Sequence, residues 1–262
     1  MSADDDFRPP SPREVRAALA LLGPLYAAVR PRVYGLDGIP ETRPLLFVGN
    51  HTLYGVLDVP VLFAELYRKR GIMLRALGDH AHFKVPVWGE LLRRFGVVDG
   101  TRENCARLMR AGACVLVFPG GGREVAKRKG ERYQLIWKQR LGFARLAIEH
   151  GCTIVPFASV GVEDAFDVIY DADDLLATRL GKWLARKGVR TDVIPPLSRG
   201  LGPTPLPRRW RQDLWFGPAI ETHGYRAPAG SADDDSRVRA LRDQVKQAVE
   251  GGIAELLERR AE

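Results

Sequence analysis

With 262 residues and 45% hydrophobic content, the chain has enough apolar side chains for one full core or two small ones, so a folded enzyme is the default reading. A formal net charge of +8 points to an anionic partner: nucleic acid, a phosphorylated cofactor or an anionic membrane surface. The three cysteines, Cys105, Cys114 and Cys152, are widely spaced in apolar surroundings, which argues against a disulfide framework or a zinc site and fits a reducing cytosol.

The N-terminus begins Ser2-Ala3-Asp4-Asp5-Asp6 and lacks the basic and apolar regions of a secretory signal. No window approaches the ~18 uninterrupted apolar residues of a membrane span, so membrane contact is expected to be peripheral. Residues 12–31 have helical periodicity, with Ser11 at the N-cap, Glu14 three residues on, and Pro24 expected to kink the helix or end its first half. Arg13, Arg16, Arg30 and Arg32 would face lipid phosphates if the apolar stripe entered an interface; the same pattern also describes a helix packed on the domain.

Strands are predicted at 44–48, 73–77, 114–118, 153–160 and 212–217, and helices at 58–70, 86–95, 101–111 and 134–150. This alternation predicts an α/β fold: a single domain with a mostly parallel central sheet flanked by helices, in which chemistry gathers where strands end. Residues 195–211, rich in proline, arginine and glycine, read as an irregular surface loop. Residues 227–236 read as a polar linker, and 236–260 as a terminal helix capped by Ser236. The expected divisions are 1–34 (tail and amphipathic helix), 35–222 (catalytic domain) and 223–262 (linker and C-terminal helix).

Two constellations carry chemistry. Gly49-Asn50-His51 follows the apolar run Leu45 to Val48, placing an imidazole at a strand end, where its near-neutral pKa suits a general base; Asp58 is the nearest downstream carboxylate able to orient it. Phe118-Pro119-Gly120-Gly121-Gly122-Arg123-Glu124 follows a second strand, and its glycines allow backbone N–H groups to approach a phosphate or a developing oxyanion. The spacing of a nucleotide-binding P-loop is absent, as is a Gly-x-Ser-x-Gly nucleophile elbow. Asp79, His80 and His82 lack a convincing further ligand, so no metal is expected.

These residues resemble the glycerolipid acyltransferase superfamily, whose first block is Asn-His followed by Asp and whose third is Phe-Pro-Glu-Gly-Thr-Arg-Ser. Gly78 to Pro86, Tyr133 to Phe143, Ile154 to Phe157 and Trp215 to Ile220 extend the resemblance over roughly residues 35–222. They are most similar to the branch of type-two diacylglycerol acyltransferases, phytyl ester synthases and bacterial relatives. The resemblance implies that His51 deprotonates an acceptor hydroxyl attacking an acyl thioester, that Asp58 holds the imidazole, and that Gly120, Gly121 and Gly122 stabilise the oxyanion. It implies that Arg123 and Glu124 contact substrate and that Arg102, Lys127, Arg128, Lys129 and Arg132 are candidates for the phosphates of CoA. Expected partners are acyl-CoA or an acyl carrier thioester, a lipid alcohol and an anionic membrane surface, without nucleic acid. No cofactor is expected beyond acyl-CoA as co-substrate, and the expected location is the cytoplasm, on the inner face of a membrane.

Three departures qualify that expectation. Six residues separate His51 from Asp58 where the family has four, and on an unbroken helix this would set them about 10 Å apart along the axis, so contact requires a break near Gly55. Gly100 stands where the family's second block has a phosphate-gripping arginine, with Arg102 two positions late. This favours a neutral acceptor such as a diacylglycerol or long-chain alcohol over glycerol 3-phosphate or a lysophospholipid. Gly120 replaces the third block's glutamate, leaving Glu124 as a substitute. The rival readings are an ester or thioester hydrolase and a non-catalytic basic membrane-binding module.

Overall fold

The computed structural model describes residues 7–226 and 234–262. The acidic N-terminus and residues 227–233 of the expected linker lie outside the described residues. The elements in chain order are α1 (Pro12–Leu21), α2 (Gly23–Val29), β1 (Arg32–Tyr34), β2 (Leu45–Gly49), α3 (Asp58–Arg70), β3 (Leu74–Gly78), α4 (His80–Phe83) and α5 (Trp88–Arg94). They continue with β4 (Val98–Asp99), α6 (Arg102–Arg110), β5 (Cys114–Val117), α7 (Gly122–Val125), α8 (Gly142–His150), β6 (Thr153–Val160) and β7 (Asp167–Tyr170). The last are α9 (Ala172–Ala177), α10 (Arg179–Arg186), β8 (Leu197–Arg199), β9 (Asp213–Phe216) and α11 (Asp234–Ala261).

Seven strands form one sheet in the order β1-β9-β6-β2-β5-β3-β4. From β6 to β4 every pair is parallel, whereas β9 runs antiparallel to β6 and β1 runs parallel to β9. The alternation of side chains across a strand explains the two-sided core. On β2, Leu46 and Val48 join α6, α8 and α11 on one face, while Leu45 and Phe47 join α3 on the other. The terminal segments belong to this core: β1 pairs with β9, and α11 lays Val238, Leu241, Val245, Val249, Ile253 and Leu256 along the sheet at helical spacing. At Gly252 α11 comes so close to Trp215 that a Cβ would stand 2.3 Å from its Cε3.

Several expectations need correction. The helix predicted over 134–150 forms only from Gly142, because the amides ahead of it serve buried carboxylates: Tyr133 N–H donates to Glu163 at 2.5 Å and Ile136 N–H to Glu124 at 3.3 Å. Tyr133 and Lys138 also take positive φ there. The helix expected over 86–95 is shortened to Trp88–Arg94, because Val87 adopts φ +65°. The terminal helix starts at Asp234, so Ser236 lies inside it rather than at its cap. The loop 195–211 contains β8, which pairs with β7. The N-terminal helix is broken as Pro24 predicts, and Ser11 and Glu14 form the expected capping box.

Candidate active site

His51 lies directly beyond the end of β2 and is held there by its neighbours. Asn50, fully buried, donates from Nδ2 to the Ser159 carbonyl and accepts from the Ser159 N–H, both at 2.8 Å, which pins the end of β2 to β6. The imidazole stacks on Phe118 with ring centroids 3.9 Å apart and planes 9° from parallel. Its other side is closed by Gly55, where a Cβ would meet His51 Cε1 at 2.2 Å. Gly55 also has φ +63°, so glycine is required both for the backbone conformation and for the space.

Burial, helped by the Lys127 cation and by His82, lowers the His51 pKa from 6.5 to about 3. The ring is therefore neutral at physiological pH. The break required near Gly55 is present: Tyr54 and Gly55 take positive φ and α3 begins at Asp58. Asp58 is buried, and its Oδ2 accepts from Ser159 Oγ at 3.4 Å. Burial raises the Asp58 pKa, against the pull of nearby hydrogen-bond donors including the first amides of α3. His51 Nδ1 and Asp58 Oδ1 are both buried without a hydrogen-bond partner among the described residues.

Glu124 joins the two motifs. Its Oε2 accepts the His51 backbone N–H at 3.2 Å and its Oε1 that of Ile136. A Cβ on Gly120 would lie 2.3 Å from this same Oε2. The Glu124 side chain thus fills the space that any side chain at position 120 would enter, which accounts for glycine where the related motif has glutamate. Burial raises the Glu124 pKa from 4.5 to about 7. In the turn itself, Gly121 N–H donates to the Phe118 carbonyl at 3.0 Å.

The cations are distributed less simply than the sequence implies. Arg123 is buried and committed to Glu131 and to the Ala126 carbonyl. Lys127, Arg128, Lys129 and Arg132 line one cavity of about 420 Å³ together with Leu53 and Phe166. Each has an acid partner: Lys127 pairs with Glu163 at 3.2 Å, Arg128 with Asp173 and Lys129 with Asp174 at 2.6 Å, and Arg132 with Asp164 at 3.7 Å. Arg102 lies apart from this group, paired with Glu149 on α8.

Two contributors were not singled out from sequence. Arg140 donates to the Pro119 carbonyl at 3.0 Å, and its guanidinium would lie 2.7 Å from a Cβ on Gly121; no acid pairs with it among the described residues. Nothing in its local sequence marks it. The other is the buried Ser159, bonded to Asn50, Asp58 and Gln212, and its signal was a polar residue within an apolar strand. Asp79, His80 and His82 each have local partners: Asp79 caps α4, His80 meets Asp99, and His82 accepts from Trp88.

An apolar groove of about 430 Å³ lies between α1, α3 and α5, and Val56, the residue after Gly55, is on its wall. Ala18, Leu22, Phe63, Ala64 and Leu92 are among its walls. The apolar stripe of α1 thus faces this groove, and Leu21 at its end is on the rim, 75% exposed.

A mostly parallel α/β sheet with a histidine at one strand end, a glycine turn at the next and an apolar groove walled in part by Val56 is an arrangement suited to lipid-like ligands. Residues 30–160 match the family described as Acyltransferase, and the chain belongs to that family within the glycerolipid acyltransferase superfamily. It is 32% identical to phytyl ester synthase 1 of Arabidopsis thaliana, over 98% of this chain and 40% of that protein. It is 33% identical to the human DGAT1/2-independent enzyme synthesizing storage lipids, over 59% of this chain and 45% of that protein. The chain thus spans less than half the length of these two relatives. The crystal structure of the 1-acyl-sn-glycerophosphate acyltransferase PlsC from Thermotoga maritima has the same fold, with a TM-score of 0.53 at 15% identity, covering 92% of this chain and 82% of that one.

Proposed function

We propose that the chain transfers a fatty acyl group from a thioester, acyl-CoA or an acyl carrier, to the hydroxyl of a neutral lipid alcohol. The observation that carries this reading is the neutral His51 ring, held between Phe118 and Gly55, with Val56, the next residue in the chain, on the wall of the apolar groove. His51 accepts the hydroxyl proton as the oxygen attacks the thioester carbonyl, and returns it to the departing thiolate. Gly120 and Gly122 supply backbone donors to the oxyanion, with Arg140 as the adjacent cation. Asp58 orients the imidazole in the substrate complex, and Glu124 holds the backbone that carries it. The acyl chain occupies the groove between α1, α3 and α5. The cavity lined by Lys127, Arg128, Lys129 and Arg132 receives the donor's phosphates by exchange of its ion pairs.

A neutral acceptor is supported by the surroundings of Gly100. Its N–H donates to the Gly78 carbonyl at 2.8 Å and a Cβ would lie 2.9 Å from that oxygen, so position 100 offers no room for a phosphate-gripping side chain. The names of the plant and human relatives, which refer to a phytyl ester and to storage lipids, agree with such a product. No helix among the described residues is long and apolar enough to cross a membrane, and we place the chain peripherally on the cytoplasmic face of one.

The test is an acceptor screen with one labelled acyl-CoA: glycerol 3-phosphate, lysophospholipids, mono- and diacylglycerols and long-chain alcohols. Ester formation with the neutral acceptors, lost in His51→Ala, is the expected result. Free fatty acid as the only product would refute transfer, and a strong preference for glycerol 3-phosphate would refute the neutral acceptor.

A further inference from the structure

The helix α10, which the sequence patterns did not single out, is left almost unburied by the fold. Only Gly181 is buried, set so close to α9 that a Cβ there would stand 2.0 Å from the Leu175 carbonyl oxygen. Packing through a glycine turns the remaining side chains outward. Leu180 and Trp183, three positions apart and so on one side of the helix, are 60% and 50% exposed, and Val189 just beyond the helix is 45% exposed. Arg179, Lys182, Arg186 and Lys187 surround them, all exposed and without an acid partner among the described residues. Single exposed apolar residues are ordinary, but a tryptophan and a leucine side by side among unpaired cations match a helix that lies in a membrane interface.

The position of this helix links it to the candidate active site. In the turn Thr191–Val193 that follows, Val193 Cγ1 would lie 3.4 Å from a Cβ on Gly122. Farther on, the Pro196 carbonyl accepts from Tyr54 Oη at 2.9 Å and Ser198 Oγ meets the same oxygen at 2.6 Å. The segment after α10 is therefore braced against both the glycine turn and the His51 loop.

We propose that the exposed face of α10 is the surface by which the chain docks on an anionic phospholipid bilayer. Leu180 and Trp183 enter the headgroup region, and Arg179, Lys182, Arg186 and Lys187 meet lipid phosphates. This rests on the lipid-acylation reading above, since it brings the bilayer that holds the acceptor alongside the two loops of the site. It also assigns membrane contact to a different element from the N-terminal helix, whose apolar stripe is occupied in walling the groove.

Vesicle flotation tests the docking. The wild-type chain is expected to float with vesicles of phosphatidylcholine and phosphatidylglycerol, to bind pure phosphatidylcholine poorly, and to be released from the mixed vesicles by about 0.5 M salt. Leu180→Ser/Trp183→Ser and Lys182→Glu/Arg186→Glu should each lower partitioning on the order of tenfold. Leu21→Ser should float like wild type, and melting curves check that each variant is folded. Equal binding to neutral vesicles, or wild-type flotation by both α10 variants, would overturn the proposal. Transfer from a short-chain acyl-CoA to a water-soluble alcohol separates this from the reading beneath it. Loss of flotation with that activity retained supports the docking surface. An inactive wild type that still floats through α10 refutes acylation alone, and an active one that floats without α10 refutes the docking alone.

Discussion

Gly55→Ala tests the site most directly, because two of its costs can be separated. Alanine at φ +63° carries a backbone penalty of about 1–2 kcal/mol, equivalent to a loss of roughly 2–8 °C in melting temperature for a chain of this size. The new methyl would also begin 2.2 Å from His51 Cε1 and 2.6 Å from Nε2, where ordinary contact starts near 3.4 Å. The imidazole must therefore retreat by about 1 Å, and Phe118, stacked 3.9 Å away, blocks the way. A misplacement of about 1 Å costs on the order of 100-fold in rate. Gly71 is the control: it has the same φ of +63°, at the end of α3, but no atom within 4 Å of its added Cβ. Thiol release from acyl-CoA, ester product and melting temperature are measured for both variants. Gly55→Ala should lose on the order of 100-fold in kcat, whereas Gly71→Ala should show only the thermal loss. Similar activity in the two variants, both folded, would mean that the placement of the His51 ring does not limit the reaction.

Asp58→Asn should lower kcat by about tenfold or more if the unpartnered Asp58 Oδ1 closes on the unpartnered His51 Nδ1 during turnover, and a near-normal rate would show that another group orients the ring. Glu124 keeps its proton up to about pH 7 in the folded chain against an ordinary 4.5, so the unfolded chain binds fewer protons in that window and Glu124 weakens the fold as pH rises through it. Glu124→Gln should therefore gain melting temperature relative to wild type between pH 4.5 and 7, and a constant difference across that range would contradict the assignment. His51 acts in the opposite sense: with a folded value of about 3 against 6.5, its contribution is complete above pH 6.5 and is lost as pH falls toward 3, a slope that thermal melts of His51→Ala should no longer show. In α11, Gly252→Ala should destabilise by about 1–3 kcal/mol through its clash with Trp215, whereas the neighbouring Gly251→Ala, with nothing within 4 Å, should stabilise by roughly 0.5–1 kcal/mol; thermal melts compare the two. Ala18→Phe should narrow the groove and shift donor preference toward shorter acyl chains, as competition between acyl-CoA lengths would show.

Local sequence patterns were enough to predict the alternation of strands and helices, the break at Pro24, the place of His51 at the end of β2 and the glycine turn after β5. Each of these is local: it follows from side-chain periodicity, backbone restriction or the absence of a Cβ. The pairing of β1 with β9 and the use of the Tyr133 and Ile136 amides by the buried Glu163 and Glu124 were settled only in three dimensions, because no local pattern couples those partners. The same holds for the cations. The resemblance made Arg123 a substrate contact and Lys127, Arg128, Lys129 and Arg132 candidates for CoA phosphates, but partners up to 45 residues away, Asp173 and Asp174 among them, determine which are already paired, while Arg140 stands beside the turn without an acid among the described residues. Likewise, a helical apolar stripe does not state what it will face. Folding gave the stripe of α1 to a groove and left that of α10 exposed, because Gly181, the one residue of α10 small enough for close contact with α9, fixed which side of the helix is buried.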